Sequence, residues 1–160
     1  MYKHLEPHGS PVAVFTKRLG LTTKAEGDII GITEKVRNAV EESRLATGVA
    51  TAFVSGLTAA VTTIEYEPGL TKDLPGAPGR TAPRSIHYEH QNACHDDNGQ
   101  SHVKASLVDP SLSVPFVRGR LTLAAWQQIM FLEPDVSPRN REVVVQIIGE
   151  QSVRSPGPGP

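Results

Sequence analysis

Cysteine is nearly missing from this chain: Cys94 is the single one in 160 residues. That excludes an intramolecular disulfide framework and a cysteine-rich zinc finger. An excess of charge is missing too, with 16 Lys+Arg against 17 Asp+Glu and a formal net charge of -1. Dedicated nucleic-acid binders are normally strongly basic, so no nucleic-acid partner is expected. No apolar run approaches the roughly 18–20 residues of a membrane span. The opening Met1-Tyr2-Lys3-His4-Leu5-Glu6-Pro7 lacks the apolar stretch of a signal peptide. A soluble cytoplasmic domain with no membrane partner is the expectation. Nucleotide-binding motifs are also absent: no Gly-x-Gly-x-x-Gly follows a strand and no Gly-x-x-x-x-Gly-Lys-[Ser/Thr] occurs.

Leu, Ile, Val and Phe make up a quarter of the chain, above the roughly 20% below which disorder is the better reading. The length suits one domain. Residues 1–11 read as a flexible arm, 12–149 as the domain, and 150–160 as a disordered Pro/Gly tail. Within the domain, 12–17 reads as a strand with a short partner at 21–24 after a turn at Gly20. Gly27-Asp28 breaks the pattern before Ile29-Ile30-Gly31-Ile32.

Thr33 is placed to cap a helix over 34–46, whose Val36, Ala39, Val40 and Ser43 share one face and which Gly48 stops. Residues 49–54 and 60–66 read as strands. Residues 70–74 read as one helical turn, 75–83 as a loop, Asn98-Gly99 as a turn, and 102–108 as a short helix capped by Ser101. The second half reads as strands at 111–117, 121–123, 126–132 and 141–148, the last three joined as an antiparallel meander. Strands at both ends with helices between give an α+β fold of mostly antiparallel sheet.

Histidine is concentrated: four of the six fall between positions 87 and 102. Neutral imidazole is the commonest metal ligand and the natural acid/base near neutral pH. A turn-rich loop separates His90 from His102 and can fold back to bring the rings together, whereas His87 and His90 would take opposite faces of a strand. No His-Glu-x-x-His zinc motif occurs. The Ser55-Gly56-Leu57-Thr58 connection presents backbone N–H groups and two hydroxyls, a setting for an anion. Ser101 to Ser106 offers a helix N-terminus with Lys104 as a nearby charge. Glu65, between apolar neighbours on a strand, is a candidate perturbed carboxylate.

These segments together resemble the YjbQ family, proteins called secondary thiamine-phosphate synthases. Thr58-Ala59-Ala60-Val61-Thr62-Thr63-Ile64-Glu65-Tyr66-Glu67-Pro68-Gly69-Leu70 carries the resemblance, as do Asn98-Gly99-Gln100-Ser101-His102-Val103-Lys104-Ala105-Ser106-Leu107 and Trp126-Gln127-Gln128-Ile129. The strand opening Arg139-Asn140-Arg141 and the early Gly27-Asp28-Ile29-Ile30-Gly31-Ile32-Thr33 fall in the same order. The resemblance covers about residues 12–149. It implies a YjbQ-like α+β domain, a homotrimer, and a histidine-lined site near a subunit interface. His90 matches the family's Tyr-x-His segment, His102 its Asn-Gly-x-[Ala/Ser]-His segment, and Glu65 the acidic residue ending the Thr-Ala-Ala strand. The chain departs from Val-Pro-His-Thr-Thr-Ala-Ala at Val54-Ser55-Gly56-Leu57-Thr58-Ala59-Ala60, so Gly56 replaces a family histidine.

The resemblance implies a transferase joining a thiazole phosphate to a pyrimidine diphosphate. His90, His102 and Glu65 would be catalytic, and Thr58, Asn98, Ser101 and Lys104 would bind the ligand. His90 and His102 are also the candidate ligands of a divalent metal, Mg or Zn. Two alternatives use the same cluster: a non-catalytic binding protein for a phosphorylated or carboxylated metabolite, and a metal-dependent hydrolase. The expected partner in each case is a small anionic metabolite, together with two further copies of the chain.

Overall fold

A computed structural model describes residues 11–24 and 26–151. The N-terminal arm therefore lies almost wholly outside the described residues, as does the tail beyond residue 151. In chain order the elements are β1 (Val12–Thr22), β2 (Asp28–Gly31), α1 (Thr33–Ser43), β3 (Leu45–Val54), β4 (Ala60–Glu65) and α2 (Leu70–Thr81). They continue with α3 (His90–Cys94), α4 (Gly99–Val108), β5 (Ser111–Val117), β6 (Arg120–Leu121), β7 (Gln127–Glu133) and β8 (Asn140–Gln151). The strands form two sheets, β1-β8-β3-β5-β6 and β2-β7-β4, with every pairing antiparallel. The fold is α+β, as the sequence indicates. Among the described residues no helix is long and apolar enough to cross a membrane.

Alternation along the strands builds the main core. Leu19 and Leu21 of β1, Ala50, Ala52 and Val54 of β3, Val114 and Phe116 of β5, and Val143, Val145 and Ile147 of β8 all turn inward. Helix α1 adds Val36, Ala39 and Val40, and the second sheet adds Val61, Ile129 and Phe131. Strand β7 is buried on both faces. Its Met130 and Leu132, with Ala60, form a second cluster on the far side, against Leu74 of α2 and Val108 of α4. The second sheet thus lies between the main core and the layer of α2 and α4.

Several sequence expectations need correction. The first two strand segments are one strand, because β1 runs through Gly20 in unbroken register with β8. Helix α1 begins at Thr33, with Ile32 as the N-cap residue. Thr33 Oγ1 instead accepts the N–H of Ile129 at 2.8 Å, tying α1 to β7. The helix ends early because Arg44 adopts a left-handed conformation at φ 56°. Gly48, read as the stop, is inside β3 opposite Gly149.

The 75–83 loop is mostly helix. Helix α2 continues past Pro75 and Pro78, and none of its residues is buried. Each proline removes an N–H that would have bonded the carbonyl four residues earlier. The C-terminal segments do not form a meander. β5 and β6 are a hairpin, β7 lies in the other sheet, and β8 returns to the first sheet between β1 and β3. Strand β8 also takes in Glu150 and Gln151, two residues read as tail.

Candidate functional site

The site is built where α3 folds back on α4. Tyr88 Oη donates to the carbonyl of Pro83 at 2.9 Å and pins the approach to α3. His87 and His90 do not sit on a strand: the chain before His90 is irregular, and His90 opens α3. Two non-glycine residues with positive φ follow α3, His95 at 57° and Asp97 at 50°. This tight reversal returns Asp96 toward His90, while Asp97 accepts the side-chain amide of Gln91. The Asn98-Gly99 turn signal marks the start of α4, with Asn98 as the N-cap residue, so Ser101 and His102 lie in its first turn. Ser101 is inside the helix and is not its cap.

Gly99 makes this contact possible. A Cβ there would lie 2.5 Å from Cβ of Tyr88 and 3.3 Å from Cβ of His90. Real Cβ atoms do not approach so closely, and only glycine lets the His90 segment rest on the helix.

The outcome is a close imidazole pair. The ring centroids of His90 and His102 are 4.3 Å apart, with the planes at 49°. Asp96 joins them: its Oδ1 is 3.4 Å from His90 Nε2. One ligand atom from each of His90, Asp96 and His102 lies within 4.8 Å of the other two. His90 Nε2 is buried without a hydrogen bond, since the Asp96 contact is near but poorly aligned. Asn98 Oδ1 and Ser101 Oγ are likewise buried and unpartnered among the described residues. Buried polar atoms without partners are uncommon in native structures. Burial holds the His102 imidazole below its ordinary pKa, and the neighbouring His90 acts in the same direction. Asp96 and Asp135 oppose that shift.

An ion network forms the adjoining wall at the crossing from β7 to β8. Thr58 Oγ1 donates to Asp135 Oδ2 at 2.7 Å. Arg139 Nε donates to the same oxygen at 3.0 Å. Arg141 donates from Nε to Glu133 Oε2 and from Nη2 to Glu133 Oε1, both at 2.7 Å. Nη2 also reaches Thr58 Oγ1 at 2.9 Å. Burial alone would raise the Asp135 pKa, but the bonds from Thr58, Arg139 and the Ser137 N–H outweigh it and hold the carboxyl below its usual range. The same contact raises the Arg139 pKa. Sequence reasoning missed Glu133, Asp135 and Arg139 as site residues, although Arg139 and Arg141 lay in a segment it singled out.

The remaining candidates divide. His90 and His102 are brought together, and Thr58 belongs to the adjoining network. Glu65 is exposed at the end of β4 remote from Thr58 and pairs with Gln127. Within one chain it is not part of the histidine group. Lys104 is buried but bonds Glu26 at 2.5 Å. It lines a cavity of about 240 Å³ under α2, with Leu74, Pro78 and Val108. His87 is exposed and faces Asn92 and Glu89.

Known proteins share this arrangement of chain. The family described as "UPF0047 protein YjbQ-like" matches residues 17–150. A UPF0047 protein of Methanothermobacter thermautotrophicus is 35% identical over 137 residues, covering 86% of this chain and 94% of that protein. The UPF0047 protein YugU of Bacillus subtilis is 31% identical over 83% of this chain and 98% of its own length. Among solved structures, a YbjQ-like protein of unknown function from Sulfolobus solfataricus superposes with a TM-score of 0.81 at 28% identity, covering 88% of this chain and all of that one. A YjbQ/UPF0047-family protein of Clostridium acetobutylicum gives a TM-score of 0.75 at 34% identity, over 82% of this chain and 98% of that one. The match across both sheets and the histidine segment places this chain in the UPF0047 family of YjbQ-like proteins.

Proposed function

We propose that His90, Asp96 and His102 hold a divalent transition-metal ion, and that the site hydrolyses a phosphate or carboxylate ester of a small metabolite, water adding to the phosphoryl or acyl group as the alcohol leaves. The observation that carries this reading is the convergence of three ligand atoms within 4.8 Å of one another. The unpartnered His90 Nε2 fits it, because a metal would satisfy an atom that the protein leaves bare. His102, kept below its ordinary pKa, is neutral near pH 7, as a ligand must be. Two imidazoles and one carboxylate suit zinc and its neighbours, whereas magnesium prefers oxygen ligands alone. Three protein ligands leave a coordination position for water or substrate, and a bound ion of this kind supplies Lewis acidity and an acidified water. Arg139 and Arg141 supply positive charge for the anionic part of the ligand, and Asp135 orients Arg139.

The resemblance also offers thiamine-phosphate synthesis, in which a diphosphate leaves from the pyrimidine methyl carbon as the thiazole nitrogen attacks it. That chemistry calls for a magnesium–diphosphate anchor on carboxylates. Here Asp96 faces His90 while Asp97 is engaged by Gln91, so the adjacent pair does not act as a unit. The geometry therefore supports the synthase less than the hydrolase. A non-catalytic binding protein would use the same groups without turnover.

Cobalt(II) titration followed by visible absorbance tests the metal. Tight binding that His90→Ala and His102→Ala each weaken at least tenfold is expected, and wild-type protein with no cobalt spectrum overturns the reading. Assays of cobalt- or zinc-loaded protein with p-nitrophenyl phosphate, and separately with thiazole phosphate plus pyrimidine diphosphate, then separate the reactions. Ester cleavage supports the hydrolase, condensation the synthase, and ligand binding without turnover the binding protein.

A further inference from the structure

Arg141 is unevenly used. Its Nε and Nη2 make all of its side-chain hydrogen bonds, to Glu133, Thr58 and, at 3.4 Å, Asp135. Its Nη1 donates to nothing among the described residues. The side chain is only 9% exposed, yet Nη1 is not among the buried unpartnered atoms, so it is the accessible corner of an otherwise covered guanidinium. An anion that reaches Nη1 meets a charge whose other nitrogens are already fixed to the protein.

Gly56 lies directly against that nitrogen. A Cβ on Gly56 would sit 3.2 Å from Arg141 Nη1. The backbone does not require glycine there, since Gly56 is not among the residues with positive φ. The surrounding turn is fixed by its own bonds: Ser55 N–H donates to the carbonyl of Glu142 at 3.2 Å and Gly56 N–H to that of Val54 at 3.1 Å. What the glycine contributes is room over Nη1. Any larger side chain would cover the idle donors.

We propose that Arg141 Nη1 is the docking point for an oxyanion, a phosphate or a carboxylate, admitted over Gly56. The two N–H groups of one guanidinium nitrogen can reach two oxygens of such a group. Glu133 and Thr58 hold the guanidinium in place through its other nitrogens, so little order is lost on binding. Arg139 stands beside the same Asp135, half-exposed, and adds charge at the entrance. Asp135, 3.4 Å from Arg141 Nη2, is also near enough for its charge to act on His102, so the docking point and the histidine group share that carboxylate as a neighbour. This assigns the anion-binding half of the function proposed above and rests on that reading for its chemistry, but it does not depend on a metal.

The test is binding of inorganic phosphate to full-length protein, by calorimetry and by thermal shift, with and without cobalt. Wild type is expected to bind phosphate, and Gly56→Val to weaken it at least tenfold while leaving the cobalt spectrum intact. Gly56→Ala, which adds one methyl group, gives a smaller loss and serves if the valine variant does not fold. Leu57→Ala, at an exposed neighbour, is expected to bind as wild type does. Acetate competing as strongly as phosphate assigns a carboxylate ligand, and acetate much weaker assigns a phosphoryl group. Phosphate binding unchanged in folded Gly56→Val or Gly56→Ala overturns the proposal, as does its absence in wild type. Phosphate binding without any cobalt binding overturns the metal reading and leaves this one standing.

Discussion

His90 and His102 come from different helices and sit with ring centroids 4.3 Å apart, both within reach of the Asp96 carboxylate. Such closeness is unfavourable for two protonated imidazoles and favourable for two that share a cation. Asp96→Asn keeps the shape and removes the charge. It is expected to weaken cobalt binding at least tenfold with little change in melting temperature, because Asp96 is largely exposed. Unchanged cobalt affinity would remove Asp96 from the ligand set.

Acid should loosen the metal-free protein through His102. Its folded pKa lies below the unfolded value of about 6.5, so the unfolded chain binds the proton more readily. The stability is present above about pH 6.5 and is lost as pH falls through the folded value. Melting temperature measured from about pH 7.5 down to 5.5 should decline, and His102→Gln should flatten that decline. An identical profile in the variant would assign the acid sensitivity elsewhere.

The Arg141–Glu133 pair is predicted to be structural. Glu133 is fully buried and accepts Arg141 through both oxygens. Glu133→Gln removes the bidentate counter-charge and leaves only the more distant Asp135, 3.4 Å from Nη2, and breaking such a buried pair costs about 3–5 kcal/mol. Urea denaturation would register this as a large drop in midpoint, whereas a loss below about 1 kcal/mol would show that the pair is replaceable by neutral groups.

Gly99→Ala should damage the site by packing alone. The added methyl would meet Tyr88 Cβ at 2.5 Å and force the His90 segment off α4. Overpacking of this sort costs about 1–3 kcal/mol. The larger expected effect is a loss of cobalt affinity with His102 untouched, and retention of wild-type affinity would show that the segment can shift without moving His90.

Assembly is open to a direct measurement. Val14, Ile148, Val49 and Pro115 form one row across the outer face of the first sheet and are all exposed. If copies of the chain meet there, light scattering should report about three times 17.2 kDa, and Ile148→Lys should lower that mass. A monomeric wild type would sink the trimer that the family resemblance implies.

Much of this was legible in the residues. The amphipathic spacing of Val36, Ala39 and Val40 gave α1, and alternation gave most strands. A turn-rich loop between His90 and His102 foretold their meeting. Other features depend on distant contacts that local pattern does not carry. Strand β7 reads as a continuous apolar run because it is covered on both faces, and nothing in that run says which sheet it joins. The prolines of α2 argue against helix, and only the observed backbone shows the helix continuing through them. Asp135 and Arg139 join the site because the chain crosses there from one sheet to the other. Glu65 looked promising for its apolar neighbours, yet the strand end leaves it in solvent.

That crossing has a mechanical consequence. Glu133 closes β7 of one sheet, Arg141 stands at the start of β8 in the other, and Thr58 leads into β4 beside β7. The bonds among them are a weld between the two sheets as well as a wall of the site. A ligand spanning Arg141 and the histidine pair would brace that joint. Binding would then stiffen the contact between the two sheets from one corner, and wear at the joint, by heat or by mutation, would be felt first as a loosening grip.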